Sequence, residues 1–244
     1  MVERVLGRIP VLECLRAKKR AARTLYLLRG AKGLDALRAA AGNVPVRECD
    51  RELLDGLAAG TAHQGVVLEA DPLPIANADR WTRESFPHEC VVVVLDGIED
   101  PHNFGAIARS AAACGSYGIV FGKDRAAPVS PATVKSAAGG MEYIELVRAT
   151  NLARTLRALK NQGFWLAGLD AAADQVLWDA DLTGRVAFVV GSEGAGIRPG
   201  IQKLCDFHLR IPLTGPITSL NASVSAAIAL VECMRQRQPR GVDR

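Results

Sequence analysis

Three stretches of this 244-residue chain place glycine beside polar side chains in a way that could serve chemistry: DGIEDPHNFGAIAR (residues 96–109), GSEGAGIRP (191–199) and IPLTGPITSLNAS (211–223). A phosphate cradle is the first possibility to weigh. A dinucleotide fingerprint needs G-x-G-x-x-G between a strand and its helix; none occurs, and Glu99 and Asp100 would repel a pyrophosphate. Gly191, Gly194 and Gly196 do cluster, but Glu193 stands among them and no Lys-Ser/Thr follows. Such a bend suits close approach by an uncharged part of a ligand. His102 invites a general-base role, although a histidine in a loop is more often structural. Asn103 and Asn221 each stand at the start of a helical stretch and could act as N-caps. The four histidines and six cysteines show no C-x-x-C, H-x-x-x-H or H-E-x-x-H spacing. Neither a metal site nor a disulfide framework is expected.

Strands must carry these loops. CVVVVLD (90–96) is an unbroken β-branched run, the pattern of a strand covered on both faces. Apolar runs follow at 117–121, 164–169, 186–190 and 207–211, with helical stretches at 103–114, 150–161 and 221–236. The alternation predicts an α/β fold with a parallel sheet and helices on both sides. Ligands of such sheets bind beyond the carboxyl ends of the strands, and the three polar stretches leave the first, fourth and fifth of these runs. Ahead of this block, residues 1–72 read as a small α/β domain with helices at 9–19, 33–41 and 50–57 and strands at 24–28, 44–47 and 65–68. DPLPIANADRW then reads as a linker, set at 73–88, before a main domain at 89–240.

Residues 1–70 hold 12 Lys and Arg against 8 Asp and Glu, whereas the remainder is balanced, so the net charge of +4 arises in the small domain. Arg4, Arg8, Arg16, Lys18, Lys19 and Arg20 crowd its beginning. They predict contact with a polyanion through counterion release; the alternative is a solvated helix face. No run of 18 apolar residues and no basic-then-apolar leader is present, so no membrane contact and a cytoplasmic location are expected.

DPHNFGAIARSAAACG, FVVGSEGAGI and RIPLTGPITSLNASVSAAIAL resemble, in order and spacing, the three motifs of the SpoU branch of the SPOUT methyltransferases. GRIPVLECL and TAHQGVVLEA resemble the L30e-like substrate-binding domain that precedes the catalytic domain in members acting on a guanosine of 23S ribosomal RNA. The resemblance implies a parallel-sheet SPOUT catalytic domain with a C-terminal trefoil knot, paired as a homodimer. It implies S-adenosylmethionine as methyl donor and the ribose 2′-hydroxyl of ribosomal RNA as acceptor. A tRNA ribose methyltransferase is the alternative within the family, and a noncatalytic ribosomal RNA-binding factor is the rival from another class. Arg109 matches the family's catalytic arginine, and Asn103, Glu193, Ser219 and Asn221 match polar residues of its catalytic centre. Gly191, Ile211 and Leu220 match cofactor-holding positions. A guanidinium keeps its proton above about pH 12, so stabilising the developing alkoxide is an easier task for Arg109 than taking a proton. The third motif departs from the family pattern at Ile217 and Thr218, where an acidic or other polar residue is expected.

Overall fold

The computed structural model describes residues 2–238; the last two residues of the domain expected at 89–240 lie outside them. The small domain runs β1 (Glu3–Leu6), α1 (Arg8–Ala17), β2 (Ala22–Leu28), α2 (Asp35–Ala41), β3 (Val46–Cys49), α3 (Arg51–Ala58) and β4 (Val66–Ala70). Its sheet has the order β1-β4-β2-β3, with β2 and β3 parallel and the other pairs antiparallel. Val11, Leu25, Leu27 and Leu68 pack on one face, and Leu54 and Val67 on the other. Asp50 caps α3 by accepting the Leu53 amide at 2.9 Å, which satisfies a donor the helix itself leaves free.

The main domain continues with β5 (Ile75–Asn77), α4 (Ala78–Trp81), β6 (Cys90–Asp96), α5 (Pro101–Ala113), β7 (Gly118–Gly122), α6 (Pro131–Ser136) and β8 (Glu145–Ala149). It ends with α7 (Leu152–Asn161), β9 (Trp165–Leu169), β10 (Gln175–Val176), β11 (Arg185–Gly191), α8 (Pro199–Gln202), β12 (Phe207–Arg210) and α9 (Ala222–Arg237). The strands form an eight-stranded sheet of order β10-β12-β9-β11-β6-β7-β8-β5, and each pairing is parallel. β6 is buried along its whole length, as its β-branched run predicts. Phe104 and Ile107 of α5 and Ala226 and Ala229 of α9 cover one face, while Leu156 and Leu159 of α7 and Ile201 of α8 cover the other.

The expected linker at 73–88 is not free chain. Ile75–Asn77 pairs in parallel with β8 as the edge of the main sheet, and Trp81 is buried with its ring 5.0 Å from Phe86 and 5.9 Å from Tyr117. Burial of that indole outweighs the local proline signal.

Two residues expected to hold RNA also need correction. The Arg20 side chain is 1% exposed, and it donates to Glu142 at 2.6 Å and to Glu3 at 2.7 Å. Lys19 is half-buried, with its ammonium on the Ile144 carbonyl. Both charges fasten the small domain to the segment before β8, where a carboxylate and a backbone oxygen replace water. Burial works against the Arg20 charge, but Glu142 outweighs it and raises the guanidinium pKa. Arg4, Arg8, Arg16 and Lys18 remain exposed.

Candidate active site

The polar stretches all emerge at the carboxyl edge of the parallel sheet. α5 follows β6 and begins at Pro101, with Asp100 as its cap: the carboxylate accepts the His102 amide at 2.9 Å. Asn103 is therefore inside the first turn and not the cap, which leaves its side chain for other partners. Its Nδ2 donates to Glu193 Oε1 at 2.9 Å, and its Oδ1 accepts from Asn221 Nδ2 at 2.9 Å. Asn221 Nδ2 also approaches Glu193 Oε1. One residue from each stretch thus meets in a closed triangle. Asn221 is at the same time the cap of α9, accepting the Ser223 amide at 2.8 Å.

Glu193 is held out by a turn that folds on itself. Ser192 and Gly196 exchange backbone hydrogen bonds of 3.1 and 2.9 Å. Gly191 faces this turn so closely that an added Cβ would lie 2.2 Å from the Gly196 carbonyl carbon. Packing of the chain on itself already accounts for the glycine. The far end of the turn is latched by Asp96, a fully buried carboxylate at the end of β6, which accepts the Arg198 amide at 2.8 Å and its Nε at 2.6 Å.

Beside the triangle lies a cleft of about 670 Å³ whose walls include Leu169, Ile211, Leu213 and Leu220, together with Gly191 and Ser219. Asp170 and Glu193 line it, and no Lys or Arg does. Apolar walls with acidic groups suit a neutral base joined to a cationic centre and disfavour a phosphate-rich nucleotide. This donor set fits S-adenosylmethionine, which is a sulfonium. Gly191, Ile211 and Leu220 share the cleft with Ser219, Glu193 and Asn221. Arg109 does not join them: it lies exposed on α5. Six residues of helix carry it about 9 Å along the axis and roughly 120° around from Asn103. His102 is exposed too, with its carbonyl taken by Ser136.

Asp96, Arg198 and Asp170 were not singled out from sequence. A signal for the two acids was available, since CVVVVLD and LAGLD each close an apolar strand with an aspartate at the ligand-binding edge.

Fold and site together define an α/β enzyme that joins a cation-tolerant small-molecule cleft to an amide-carboxylate centre. Residues 90–231 match the model of the SpoU rRNA Methylase family, and residues 4–76 match that of the RNA 2′-O ribose methyltransferase substrate-binding domain. The chain belongs to the SpoU rRNA methylase family of RNA 2′-O-methyltransferases, whose methyl donor is S-adenosylmethionine. It is 40% identical over 243 residues to an uncharacterized tRNA/rRNA methyltransferase of Mycobacterium sp. (strain KMS), covering 97% of this chain and 77% of that one. It is 39% identical over 204 residues to the 23S rRNA (guanosine-2′-O-)-methyltransferase RlmB of Pseudomonas putida, covering 82% and 81%. The crystal structure of the SpoU methyltransferase AviRb from Streptomyces viridochromogenes in complex with AdoMet superposes with a TM-score of 0.80 at 25% identity, covering 97% of this chain and 90% of that one.

Proposed function

We propose that this chain methylates the ribose 2′-hydroxyl of a guanosine in 23S ribosomal RNA, working in the cytoplasm as a homodimer. The observation that carries the reading is the Asn103–Glu193–Asn221 triangle at the mouth of the acidic, apolar-walled cleft. The guanosine and the ribosomal RNA follow from the relatives that span most of the chain.

Bound in the cleft, S-adenosylmethionine supplies an electrophilic methyl group. Leu169, Ile211, Leu213 and Leu220 wall the cleft, and Asp170 and Glu193 favour positive charge within it. The methyl group would pass from the sulfonium sulfur, which is left as a neutral thioether, to the 2′-oxygen, whose proton would go to water; negative charge would develop on that oxygen as the proton leaves. Arg109 stabilises this charge. Asn103, Ser219 and Asn221 orient the ribose.

Because Arg109 lies on a different side of α5 from the triangle, it serves the site of a second copy in this reading. Val224 and Val231 of α9 are 45% and 50% exposed one heptad apart, and pairing would cover them. The C-terminal trefoil knot belongs to the same reading. Its support is that β9, β11 and β12 are adjacent out of chain order, while the loops after β11 and β12 line one cleft. Among the described residues, no helix is long and apolar enough to cross a membrane.

The test incubates the full chain and labelled S-adenosylmethionine with transcribed 23S ribosomal RNA and with tRNA, then maps the modified ribose. Labelled guanosine in 23S RNA is expected. Label in tRNA alone overturns the substrate, and label in neither RNA favours a noncatalytic binding factor. Arg109→Ala should abolish transfer while cofactor affinity stays within twofold. Mixing Arg109→Ala with Glu193→Ala chains should restore part of the activity if the arginine is supplied across the dimer.

A further inference from the structure

The turn leaving β7 reads GKDR, residues 122–125. An added Cβ on Gly122 would lie 2.7 Å from the Asp124 carbonyl oxygen, so the tightness of the turn demands glycine. Arg125 leaves the turn at φ 53°, a left-handed conformation that non-glycine residues hold only where the surroundings impose it. Lys123 and Arg125 are both exposed, and neither side chain has an ion-pair or hydrogen-bond partner among the described residues. With Arg198, Thr150 and Asn151 they line a cavity of about 520 Å³ at the carboxyl ends of β7 and β8. Asp124 is the one carboxylate in that lining, against three cations.

Arg125 and Arg198 also line the central cavity of about 530 Å³ that contains Asn103 and Glu193. Along the carboxyl edge the cavities therefore stand in strand order. The cofactor cleft lies over β12, β9 and β11, the reaction centre over β11 and β6, and the basic cavity over β7 and β8. Charge changes along this row. The first lining has two acids and no Lys or Arg, the second has four acids against two arginines, and only in the third are the cations in excess.

A ribose presented to the central cavity carries a phosphodiester on each side. One side of that cavity opens onto the acidic cofactor cleft, which repels phosphate, and the other onto Lys123, Arg125 and Arg198. We propose that the cavity at the carboxyl ends of β7 and β8 binds a backbone phosphate of the substrate RNA next to the methylated nucleotide, through Lys123, Arg125 and Arg198. Asp96 already occupies part of the Arg198 guanidinium, so Lys123 and Arg125 supply most of the free charge. A phosphate fixed there sets the distance of the ribose from the Asn103–Glu193–Asn221 triangle, as backbone contacts set register in nucleic-acid complexes. The inference rests on the reading of the site as an RNA ribose methylation centre.

The experiment measures binding of the full chain to transcribed 23S ribosomal RNA across a range of salt, for wild type, Lys123→Ala/Arg125→Ala and Arg125→Lys. Loss of this one phosphate contact should weaken binding roughly tenfold near 0.1 M salt, and the double variant should show a log–log salt slope shallower by about one. Arg125→Lys, which keeps the charge, should keep the slope, and S-adenosylmethionine affinity should stay within twofold in all variants. Wild-type affinity and slope in the double variant overturn the phosphate site, as does weaker binding with an unchanged slope. Should wild type bind this RNA without methylating it while the slope still changes, the substrate assignment fails and the phosphate site stands.

Discussion

Asn221 serves two purposes with the two atoms of one amide. Its oxygen closes the first turn of α9 by accepting the Ser223 amide at 2.8 Å and the Ser223 hydroxyl at 2.6 Å, while its nitrogen donates to Asn103 and Glu193. Aspartate has the same shape and caps helices equally well. It has no nitrogen donor, and it would set a second carboxylate against Glu193. Asn221→Asp is therefore expected to melt within a few degrees of wild type yet transfer methyl on the order of a hundredfold more slowly. Asn221→Ala should lose activity and also about 1 kcal/mol of stability. Equal activity of the aspartate variant and wild type would reduce Asn221 to a helix cap. The sequence exposed this residue through its motif but could not say which of the two asparagines caps its helix. Asn103 looked like a cap and is not one, because Asp100 begins the helix three residues earlier.

At the scale of elements, β11 and its turn decide whether the cleft exists. The strand lies between β6 and β9 and ends at Gly191, whose pro-side-chain position is filled by the Gly196–Ile197 backbone. Gly191→Ala would push that backbone away and move Glu193 with it. Overpacking of this kind costs about 1–3 kcal/mol, and the turn is the softest part to yield. The variant should keep its secondary structure and lose S-adenosylmethionine affinity by at least tenfold in calorimetry. Unchanged affinity would show that the turn does not shape the cleft. The long apolar strands and the three major helices were legible because burial on both faces leaves a continuous apolar run. β8 was not, since ELVRA keeps two charged residues that point away from the core. β5 was hidden in a segment punctuated by prolines, and its three residues acquire meaning only when β8 lies beside them.

For the whole molecule, the question is how two domains with separate cores act as one. The side chains of Arg20 and Glu142, 122 residues apart, are each 1% exposed, and Glu142 Oε1 takes both Arg20 Nε at 3.2 Å and Nη2 at 2.6 Å. Glu142 Oε2 is buried without a partner. Tyr143 donates to Glu13 at 2.5 Å alongside. A basic stretch read alone cannot reveal this, because the acid that buries Arg20 stands in the other domain. Breaking a buried pair from one side leaves an uncompensated charge and costs about 3–5 kcal/mol, whereas replacing both partners with apolar groups is often far milder. Arg20→Met should therefore lower the melting temperature by on the order of 10 °C, and Arg20→Met/Glu142→Leu should recover most of that loss. RNA affinity supplies the second readout. If Arg20 contacted RNA, the double variant would bind RNA as weakly as the single one. If Arg20 joins the domains, RNA affinity should return together with the melting temperature, and a double variant that melts normally but still binds RNA poorly would restore Arg20 to the RNA-contacting set.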